Sequence, residues 1–495
     1  MTQQAFIQIH ARDNVLIALE DLAAGTVVAD ITLCENIERG HKFACQTIAK
    51  GEHIIKYGFP IGHALEQIEA GSFIHTHNLK TNLSGELAYD FSPKQYDIEV
   101  PNFSTRTFKG YHRRDGQVGI RNEVWIINTV GCINKVAENL AKMGNKLYEA
   151  HNLDGIQSFA HPYGCSQLGD DLTYTQKILA DLIHHPNAGA ILVLGLGCEN
   201  NYIDLFKQTI GEIDSERVQF LNVQQVEDEM VEGLALLEKC VAYATSFERE
   251  ETPISALKVG LKCGGSDGLS GITANPLIGA FSDRLIEAGG STVLTEVPEM
   301  FGAETILMER AKDKQTFDNI VNLVNDFKHY FIKYEQPVYE NPSPGNKAGG
   351  ITTLEEKSLG CIQKGGYQPV QEVLQYGDRV QQQGLSLLQG PGNDLVATTV
   401  LGASGCQLVL FSTGRGTPFG GPTPTVKIST NTALFERKKN WIDFNAGQLV
   451  GQKNMSQLAD EFLNYIIQVA SGEQKTRNEE FDFREIAIFK DGVTM

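Results

Sequence analysis

The fold is decided by one stretch of the chain, Lys262-Cys263-Gly264-Gly265-Ser266-Asp267-Gly268-Leu269-Ser270-Gly271. The apolar residues 256–261 precede it and predict a buried strand, and residues 276–281 begin a helical pattern after it. Proline is tolerated at Pro276, in the first turn of that helix, where its missing N–H costs nothing. An α/β protein builds its sites in such loops, at the carboxyl end of a strand. The stretch therefore predicts a βα unit with a functional loop.

The loop also has the chemistry of an anion site. Glycine lets the backbone approach a ligand closely and point its N–H groups at it. Ser266, Asp267 and Ser270 add two hydroxyls and a carboxylate. No Gly-Lys-Ser/Thr or G-x-G-x-x-G sequence accompanies the loop, so no nucleotide cofactor is expected. We predict a site for a small polar anion, and the alternative is a tight turn that holds a buried cysteine.

Strand–loop–helix units recur along the chain. Apolar strands are predicted at residues 123–130, 190–196 and 407–412, and a glycine-rich turn follows each. Strands that alternate with helices of ten or more residues predict parallel sheets. The first 82 residues instead show short strands between glycine turns, and a polar linker with two prolines spans about 83–110. We predict an α/β multidomain protein with a small all-β module followed by two α/β domains with mainly parallel sheets, at residues 1–95, 96–250 and 251–495.

Composition narrows the class of protein. A chain of 495 residues corresponds to about three domains. Lys and Arg number 42 against 61 Asp and Glu, and the resulting charge of −19 disfavours nucleic acid or an anionic membrane as partner. The N-terminus lacks a signal-peptide pattern, and no apolar run reaches the roughly 18 residues of a membrane span. Nine cysteines without a disulfide-framework spacing indicate a reduced, cytoplasmic location.

Two histidines suggest a metal site in the N-terminal module. Residues 73–77 predict a strand, whose period of two would place His75 and His77 on one face, about 7 Å apart. The alternative is a solvated face of an edge strand. Five cysteines follow a glycine directly, but no C-x-x-C spacing indicates a zinc or local iron–sulfur motif. Cys165, Cys198 and Glu199 could join the histidines as ligands of Fe(II) or Mn(II).

Many of these segments together resemble the altronate/galactarate dehydratase family. The matching residues extend over nearly the whole chain. They are Gly40-His41-Lys42, Lys56-Tyr57-Gly58, His75-Thr76-His77-Asn78, Gly119-Ile120-Arg121-Asn122-Glu123, Tyr163-Gly164-Cys165-Ser166-Gln167, Gly197-Cys198-Glu199-Asn200-Asn201, residues 263–276, Glu296-Val297-Pro298-Glu299, residues 340–350 and residues 411–418. The resemblance implies a SAF (β-clip) fold for the N-terminal module. It also implies a hydro-lyase that converts D-altronate to 2-dehydro-3-deoxy-D-gluconate in hexuronate catabolism, with Fe(II), or Mn(II) in its place.

The physical chemistry of such a dehydration indicates roles for the residues. The proton at C2 is hard to remove because the adjacent carboxylate is anionic, so a metal that neutralises this charge would help. The predicted metal ligands are His75, His77, Cys165, Cys198 and Glu199. The predicted substrate-binding residues are Asn78, Arg121, Gly264, Gly265, Ser266, Asp267 and Arg415, and an arginine between two glycines suits a bidentate carboxylate contact. The candidates for base and acid are His41, Lys56 and Tyr57, with no choice among them.

Other functions stay open at this point. A galactarate dehydratase, or another sugar-acid dehydratase, would share the mechanism and differ in substrate. An iron–sulfur hydro-lyase would absorb visible light and contain acid-labile sulfide. A sugar-acid sensor would bind the substrate class without turnover. We also expect a homodimer, because a small β module on a polar linker could pack across two chains.

Overall fold

The structure is a computed structural model, and it describes residues 5–83, 89–96 and 98–492. The predicted linker includes residues 84–88 and 97, which lie outside this range. Residues 5–83 contain nine short strands and, as far as they are described, no helix. The strands are β1 (Phe6–Ile7), β2 (Val15–Ala18), β3 (Val27–Val28), β4 (Ile31–Thr32), β5 (Lys42–Ala44), β6 (His53–Lys56), β7 (Phe59–Ala64), β8 (Phe73–Ile74) and β9 (Leu79–Lys80). Their pairs are antiparallel, as expected for the predicted all-β module.

The second domain is an α/β unit. Its elements are β10 (Thr107–His112), β11 (Val118–Gly119), β12 (Glu123–Asn128), α1 (Asn134–Leu147), β13 (Gly155–Ser158), α2 (Gly169–Ile183), β14 (Ala188–Gly195), α3 (Ile203–Ile210), β15 (Val218–Asn222), α4 (Glu229–Ala244) and β16 (Arg249–Pro253). A parallel sheet has the order β13-β12-β14-β15. All residues of β14 are buried, because helices cover both faces of the sheet. Antiparallel pairing of β10 with β16 closes the domain.

The C-terminal domain is built on a seven-stranded sheet in which every pair is parallel. Its elements are β17 (Lys258–Cys263), α5 (Ala274–Glu287), β18 (Ser291–Leu294), α6 (Glu304–Met308), α7 (Lys314–Lys333), α8 (Pro344–Ala348), α9 (Leu354–Cys361), β19 (Val370–Leu374), β20 (Gly384–Leu388), α10 (Asp394–Ala403), β21 (Leu408–Thr413), β22 (Thr425–Ser429), α11 (Thr432–Arg437), β23 (Phe444–Asn445), α12 (Met455–Ala470) and α13 (Arg477–Glu480). These sheets confirm the predicted fold class.

The strand order of this sheet locates a crevice. The order is β19-β20-β18-β17-β21-β22-β23. Strands β18, β19 and β20 therefore lie on one side of β17, and the later strands β21, β22 and β23 lie on the other side. In an open α/β sheet, a crevice forms outside the carboxyl ends of the strands where the order reverses. Here that point lies between β17 and β21. The loop after β17 is the glycine-rich stretch that begins at Cys263, and the loop after β21 carries Arg415.

The three parts pack against one another. One buried apolar cluster contains Ile54 and Ile61 of the N-terminal module together with Leu261 and Leu277 of the C-terminal domain. Another joins Trp125 of the second domain to Val409 of β21. Since these side chains are buried from water together, the parts form continuous cores. Among the described residues, no helix is long and apolar enough to cross a bilayer.

Arg121 belongs to the packing between domains rather than to a cleft. Its guanidinium is buried and pairs with Glu479 of α13 at 2.6 Å, and it donates to the carbonyls of Ile120 and Val469. Although burial opposes ionisation, Arg121 holds the pKa of Glu479 at about 2. A buried arginine whose donors are used in this way links the second and C-terminal domains. Its predicted substrate-binding role has no support in this geometry.

Candidate functional site

The glycine-rich loop after β17 is locked to the loop after β21. The N–H groups of Gly414 and Arg415 both donate to the carbonyl of Gly265, at 3.0 and 3.1 Å. A side chain at Gly264 would meet the Asp394 carboxylate at 2.6 Å, and Gly265 has a φ of +62°. Glycine at position 264 permits the close approach, and glycine at position 265 adopts the positive φ without strain. The predicted functional loop is thus a rigid part of the crevice.

The N-terminal module closes over this loop at a contact between backbones. A Cβ on Gly268 would lie 1.9 Å from the carbonyl oxygen of Gly40, and Gly268 donates its N–H to the carbonyl of Gly349 at 2.7 Å. Glycine at these positions lets three chain segments touch with no side chain between them. The first module, the loop after β17 and the segment after α8 therefore form one surface.

A cleft of about 330 Å³ opens at this junction. Its titratable groups include Arg39 and His41 from the N-terminal module, and Asp267, Arg415 and Arg437 from the C-terminal domain. The cleft therefore contains three arginines against Asp267 and Glu38, on a chain whose net charge is −19. We call this site the arginine cleft. Its electrostatics are suited to an anion, because the local field opposes that of the whole protein.

Several groups in and beside the arginine cleft are available to a ligand. The Nε of Arg39 is buried and has no hydrogen-bond partner among the described residues. Arg415 makes one hydrogen bond, from Nη1 to the carbonyl of Gly345 at 3.2 Å, and its side chain is exposed. Burial lowers the pKa of His41, so its imidazole is neutral near pH 7. The ring of His75 lies 5.8 Å from that of His41, centroid to centroid.

Asp267 is predicted to contact substrate, but its carboxylate is already bound. It accepts hydrogen bonds from the Thr430 hydroxyl at 2.9 Å, the Ser270 hydroxyl at 3.1 Å and the Asn431 amide at 3.3 Å. The carbonyl of Ser266 accepts from the Asn346 amide. Asp267 therefore shapes the wall of the arginine cleft, and it fixes the loop against β22 and the turn that follows it.

The predicted strand through His75 and His77 is wrong. Strand β8 ends at Ile74, and residues 75–78 form a turn in which Asn78 and Leu79 donate their N–H groups to the carbonyl of His75. The amide of Asn78 closes the turn by accepting from His75 N and donating to the Phe73 carbonyl. Local side-chain hydrogen bonds of this kind compete with strand pairing. The imidazoles therefore do not share a strand face, and Asn78 serves the turn.

Lys56 is buried in an ion-pair network. It donates to Glu356 of α9 at 2.7 Å, and Lys42 donates to the other oxygen of the same carboxylate at 2.9 Å. Burial opposes all three charges, yet the two ammonium groups hold the pKa of Glu356 well below its usual range. The pKa of Lys42 falls to about 8 because it is buried. This triad attaches β5 and β6 to the C-terminal domain, which makes Lys56 a docking residue.

Tyr57 lies beside this triad. Its ring is 4.9 Å from the Lys56 ammonium, and its hydroxyl points at Gly271, where a Cβ would lie 2.3 Å away. Burial raises its pKa. The tyrosine lines a cavity of about 10 Å³ behind the glycine-rich loop rather than the arginine cleft. Of the three predicted acid–base candidates, only His41 lines the cleft.

A second polar centre lies behind the loop, and sequence analysis identified only part of it. The sulfur of Cys263 lies 3.4 Å from that of Cys361, and a Glu299 oxygen lies 3.1 and 3.2 Å from the two sulfurs. Lys364 donates to Cys263 at 3.0 Å, and Lys357 pairs with Glu299 at 2.7 Å. This thiol centre faces a cavity of about 440 Å³ that Phe489 also lines. Cys361, Lys357 and Lys364 are more than 90 residues away from Cys263 in sequence, so only the fold brings them to it.

Opposed charges perturb the thiol centre. The hydrogen bond from Cys361, together with the Lys364 and Lys357 ammonium groups, lowers the pKa of Cys263 to about 6. The same lysines outweigh burial and hold the pKa of Glu299 at about 2. Burial raises the pKa of Glu296, whose carboxylate accepts from the Cys263 N–H. Each acidic group of the centre therefore has a lysine ammonium group beside it, and these positive charges balance its negative charges.

The five predicted metal ligands do not form one site. Cys165, Cys198 and Glu199 follow strands of the second domain, whereas the His75 ring donates to the Lys347 carbonyl of the C-terminal domain. The Glu199 carboxylate is used within its own loop, where it binds the Thr129 hydroxyl and the N–H groups of Leu196 and Gly197. Those hydrogen bonds outweigh burial and lower its pKa. The sequence could not show that this carboxylate is already satisfied.

In the described part of the chain, one trio of metal-competent donors has all its atoms within 4.8 Å: Cys263, Glu299 and Cys361. Two sulfurs and a carboxylate are donors that Fe(II) accepts. However, the Lys364 and Lys357 ammonium groups already occupy hydrogen-bonding positions on this trio. A cation placed there would be repelled by both lysines. The described residues therefore do not fit a single Fe(II) ion here.

Comparison with known proteins agrees with this architecture. Three family profiles match: the altronate/galactarate dehydratase SAF domain over residues 4–82, the D-galactarate dehydratase/altronate hydrolase second domain over 110–245, and the D-galactarate/altronate dehydratase C-terminal domain over 254–494. The chain belongs to the altronate/galactarate dehydratase family. The three matched segments correspond in turn to the β module and the two α/β domains described above.

Three relatives resemble the chain over nearly its full length. Altronate dehydratases of Bacillus subtilis (strain 168) and Escherichia coli (strain K12) are each 54% identical to it, across 99% of this chain and 100% of each relative. The galactarate dehydratase (L-threo-forming) of Escherichia coli (strain K12) is 32% identical across 98% of this chain and 96% of that protein.

We predict that Glu356→Ala destabilises the protein by about 3–5 kcal/mol, because it leaves the buried ammonium groups of Lys42 and Lys56 without a counter-charge. Urea unfolding followed by circular dichroism measures the change. Glu309→Ala, which removes a partner of the exposed Lys94, is the control and should leave the midpoint unchanged. Equal midpoints for wild type and Glu356→Ala would contradict the docking role.

Proposed function

We propose that this chain dehydrates D-altronate to 2-dehydro-3-deoxy-D-gluconate, within hexuronate catabolism. The observation that carries the proposal is the 54% identity, over the whole chain, to two altronate dehydratases, against 32% to a galactarate dehydratase. The arginine cleft supports it, because an aldonate needs a cationic site for its carboxylate and polar groups for its hydroxyls. A cytoplasmic homodimer that binds no nucleic acid stays a prediction.

The arginine cleft is the proposed substrate site. Arg415 projects from a loop whose backbone the Gly265 carbonyl fixes, and its exposed guanidinium makes one hydrogen bond, to the Gly345 carbonyl. A guanidinium binds a carboxylate through two parallel hydrogen bonds. Arg39, from the N-terminal module, adds a second guanidinium to the lining of the same cleft. Arg437 adds positive charge at the rim.

His41 is the proposed base. Its neutral imidazole takes the proton from C2 of the substrate, and the electron pair of that C–H bond moves into the carboxylate-stabilised carbanion. The C3–O bond then breaks, and the departing hydroxyl takes the proton held by the imidazolium and leaves as water. The resulting enol becomes the 2-keto acid. Cationic side chains on the carboxylate stabilise the charge that develops in the first step.

Iron dependence also stays a prediction, since neither the predicted ligand set nor the thiol centre fits a single Fe(II) ion. The deciding experiment for the function is release of 2-keto acid, under anaerobic conditions, from D-altronate and from galactarate, with and without a chelator. We expect release from altronate and its loss with chelator. Release from galactarate alone would change the substrate, and tight altronate binding without release would favour the sensor.

We predict that Arg415→Ala lowers kcat/KM about ten- to a hundredfold, chiefly through KM, since a charge-assisted carboxylate contact is worth about 1.5–3 kcal/mol. Arg415→Lys should recover part of the loss, because it keeps the charge and loses the second hydrogen bond. Arg12→Ala is the control and should leave KM unchanged, because Arg12 is exposed and does not line the cleft. If KM is unchanged in Arg415→Ala, the arginine cleft is not the substrate site.

We predict that His41→Gln lowers kcat by about 10²- to 10⁴-fold, the usual contribution of a general base. The neutral imidazole is the active form, so wild-type kcat/KM should fall as the pH drops through the His41 pKa, which burial places below 6.5. This acid limb should be absent from the residual activity of the variant. His53→Gln, an exposed histidine of the same module, is the control. If kcat/KM of the His41→Gln variant still falls at low pH, the titration belongs to a group other than His41.

A further inference from the structure

Three thiols of the second domain lie at one edge of its sheet. Strands β13, β12 and β14 are neighbours, and the loops at their carboxyl ends carry Cys165, Cys132 and Cys198. All three cysteines are exposed and free, whereas the cysteine of α4, Cys240, is buried. The carboxyl ends of adjacent parallel strands meet at one edge, where α/β proteins bind ligands.

Hydrogen bonds hold these three loops together. The N–H of Gly131, next to Cys132, donates to the carbonyl of Tyr163 at 2.9 Å. Both neighbours of Cys165 reach the third loop: the Gly164 carbonyl accepts from Asn201 N at 3.1 Å, and Ser166 N donates to the Asn200 amide oxygen at 2.8 Å. Each cysteine is thus within three residues of a bond to the next loop. The thiols are presented by a connected scaffold.

At the same edge, two buried polar atoms lack hydrogen-bond partners among the described residues. The amide oxygens of Asn128, at the end of β12, and Asn222, at the end of β15, are buried without a hydrogen-bond partner. Buried polar atoms in a native structure normally have one. Helices α1, α2 and α3 also begin just after the three cysteines, so their positive ends face this edge. The helix ends would stabilise an anionic group there, whereas the two amide oxygens would accept hydrogen bonds from a donor beside it.

We infer that Cys132, Cys165 and Cys198 hold an iron–sulfur cluster. Thiolates select soft metals and iron–sulfur clusters over hard cations. A single ion with bonds of about 2.3 Å would bring its sulfur ligands within about 4.6 Å of one another. In the described part of the chain, the only trio that close is Cys263, Glu299 and Cys361, so the three exposed thiols do not surround one ion. A cluster binds each thiolate through a different iron, so its thiolates need not lie as close together as the ligands of one ion.

Three cysteines are one fewer than the four that close a cluster. One iron would therefore have no protein thiolate and would be open to water or to an oxygen ligand. The edge is also connected to the thiol centre: the Tyr163 hydroxyl accepts from Ile488 N at 3.3 Å, and the next residue, Phe489, lines the 440 Å³ cavity with Cys263. The cluster would thus sit on the side of the molecule that leads to this cavity.

The test uses the full-length protein, purified without oxygen and reconstituted with Fe(II), sulfide and dithiothreitol. Iron and acid-labile sulfide per chain, the visible absorption and the electron paramagnetic resonance of the reduced protein are measured without substrate. We expect iron and sulfide in equal amounts, and a broad visible absorption that bleaches in air. Because no substrate is present, the result does not depend on the proposed reaction.

Ligand assignment comes from single variants. Cys132→Ser, Cys165→Ser and Cys198→Ser should each lose iron, sulfide and colour while keeping the far-ultraviolet circular dichroism of the wild type. Exposed thiols are not part of a core, so this replacement leaves packing intact. Cys34→Ser, at an exposed cysteine of the N-terminal module, is the matched control and should keep the cluster.

Three results would overturn the inference. One is iron without sulfide, or zinc in place of iron. Another is retention of the cluster in the three serine variants, or its loss in Cys263→Ser or Cys361→Ser instead. The third is a reconstituted wild-type protein that binds no iron at all. If the reconstituted wild-type protein contains the cluster but does not turn over altronate, the proposed function is wrong and this inference still holds.

Discussion

The buried Glu356 carboxylate, shared between Lys42 and Lys56, is the interaction on which the site depends. Two strands of the N-terminal module each supply one ammonium group, and α9 of the C-terminal domain supplies the anion. Burying these charges is costly, and only their mutual attraction and hydrogen bonds compensate for it. These ion pairs join the N-terminal module to the C-terminal domain in the orientation observed. That orientation places Gly40 on Gly268 and His41 in the arginine cleft.

The charge of the arginine cleft is opposite in sign to the net charge of the chain. The protein carries a net charge of −19, yet the cleft collects three arginines. The thiol centre behind the loop is compensated instead, because Lys357 and Lys364 face Glu299 and Cys263. The two cavities on either side of one loop thus differ in their electrostatics. The first is suited to an anion from solution, and the second stabilises a thiolate near neutral pH.

Both parallel sheets place their reactive groups at carboxyl ends, for the same geometric reason. The loops that follow neighbouring parallel strands converge, whatever their distance in sequence. In the C-terminal domain this unites the loops after β17 and β21 around Gly265. In the second domain it unites three Gly-Cys loops. The glycines of the C-terminal loop have different roles, because Gly264 and Gly268 permit contact between segments, whereas Gly265 supplies a positive φ.

The sequence by itself determined the all-β module, the parallel sheets and the functional loop at Cys263, because hydrophobic period and glycine-rich turns are local signals. It also indicated His41 and Arg415. It could not decide which polar groups were already satisfied: Arg121 pairs with Glu479, Lys56 with Glu356, and Glu199 with its own loop. It missed Lys364 beside Cys263, and it placed His77 on a strand that ends at Ile74. Only the tertiary structure decides such questions, because whether a charge is free or paired depends on partners that are often hundreds of residues away.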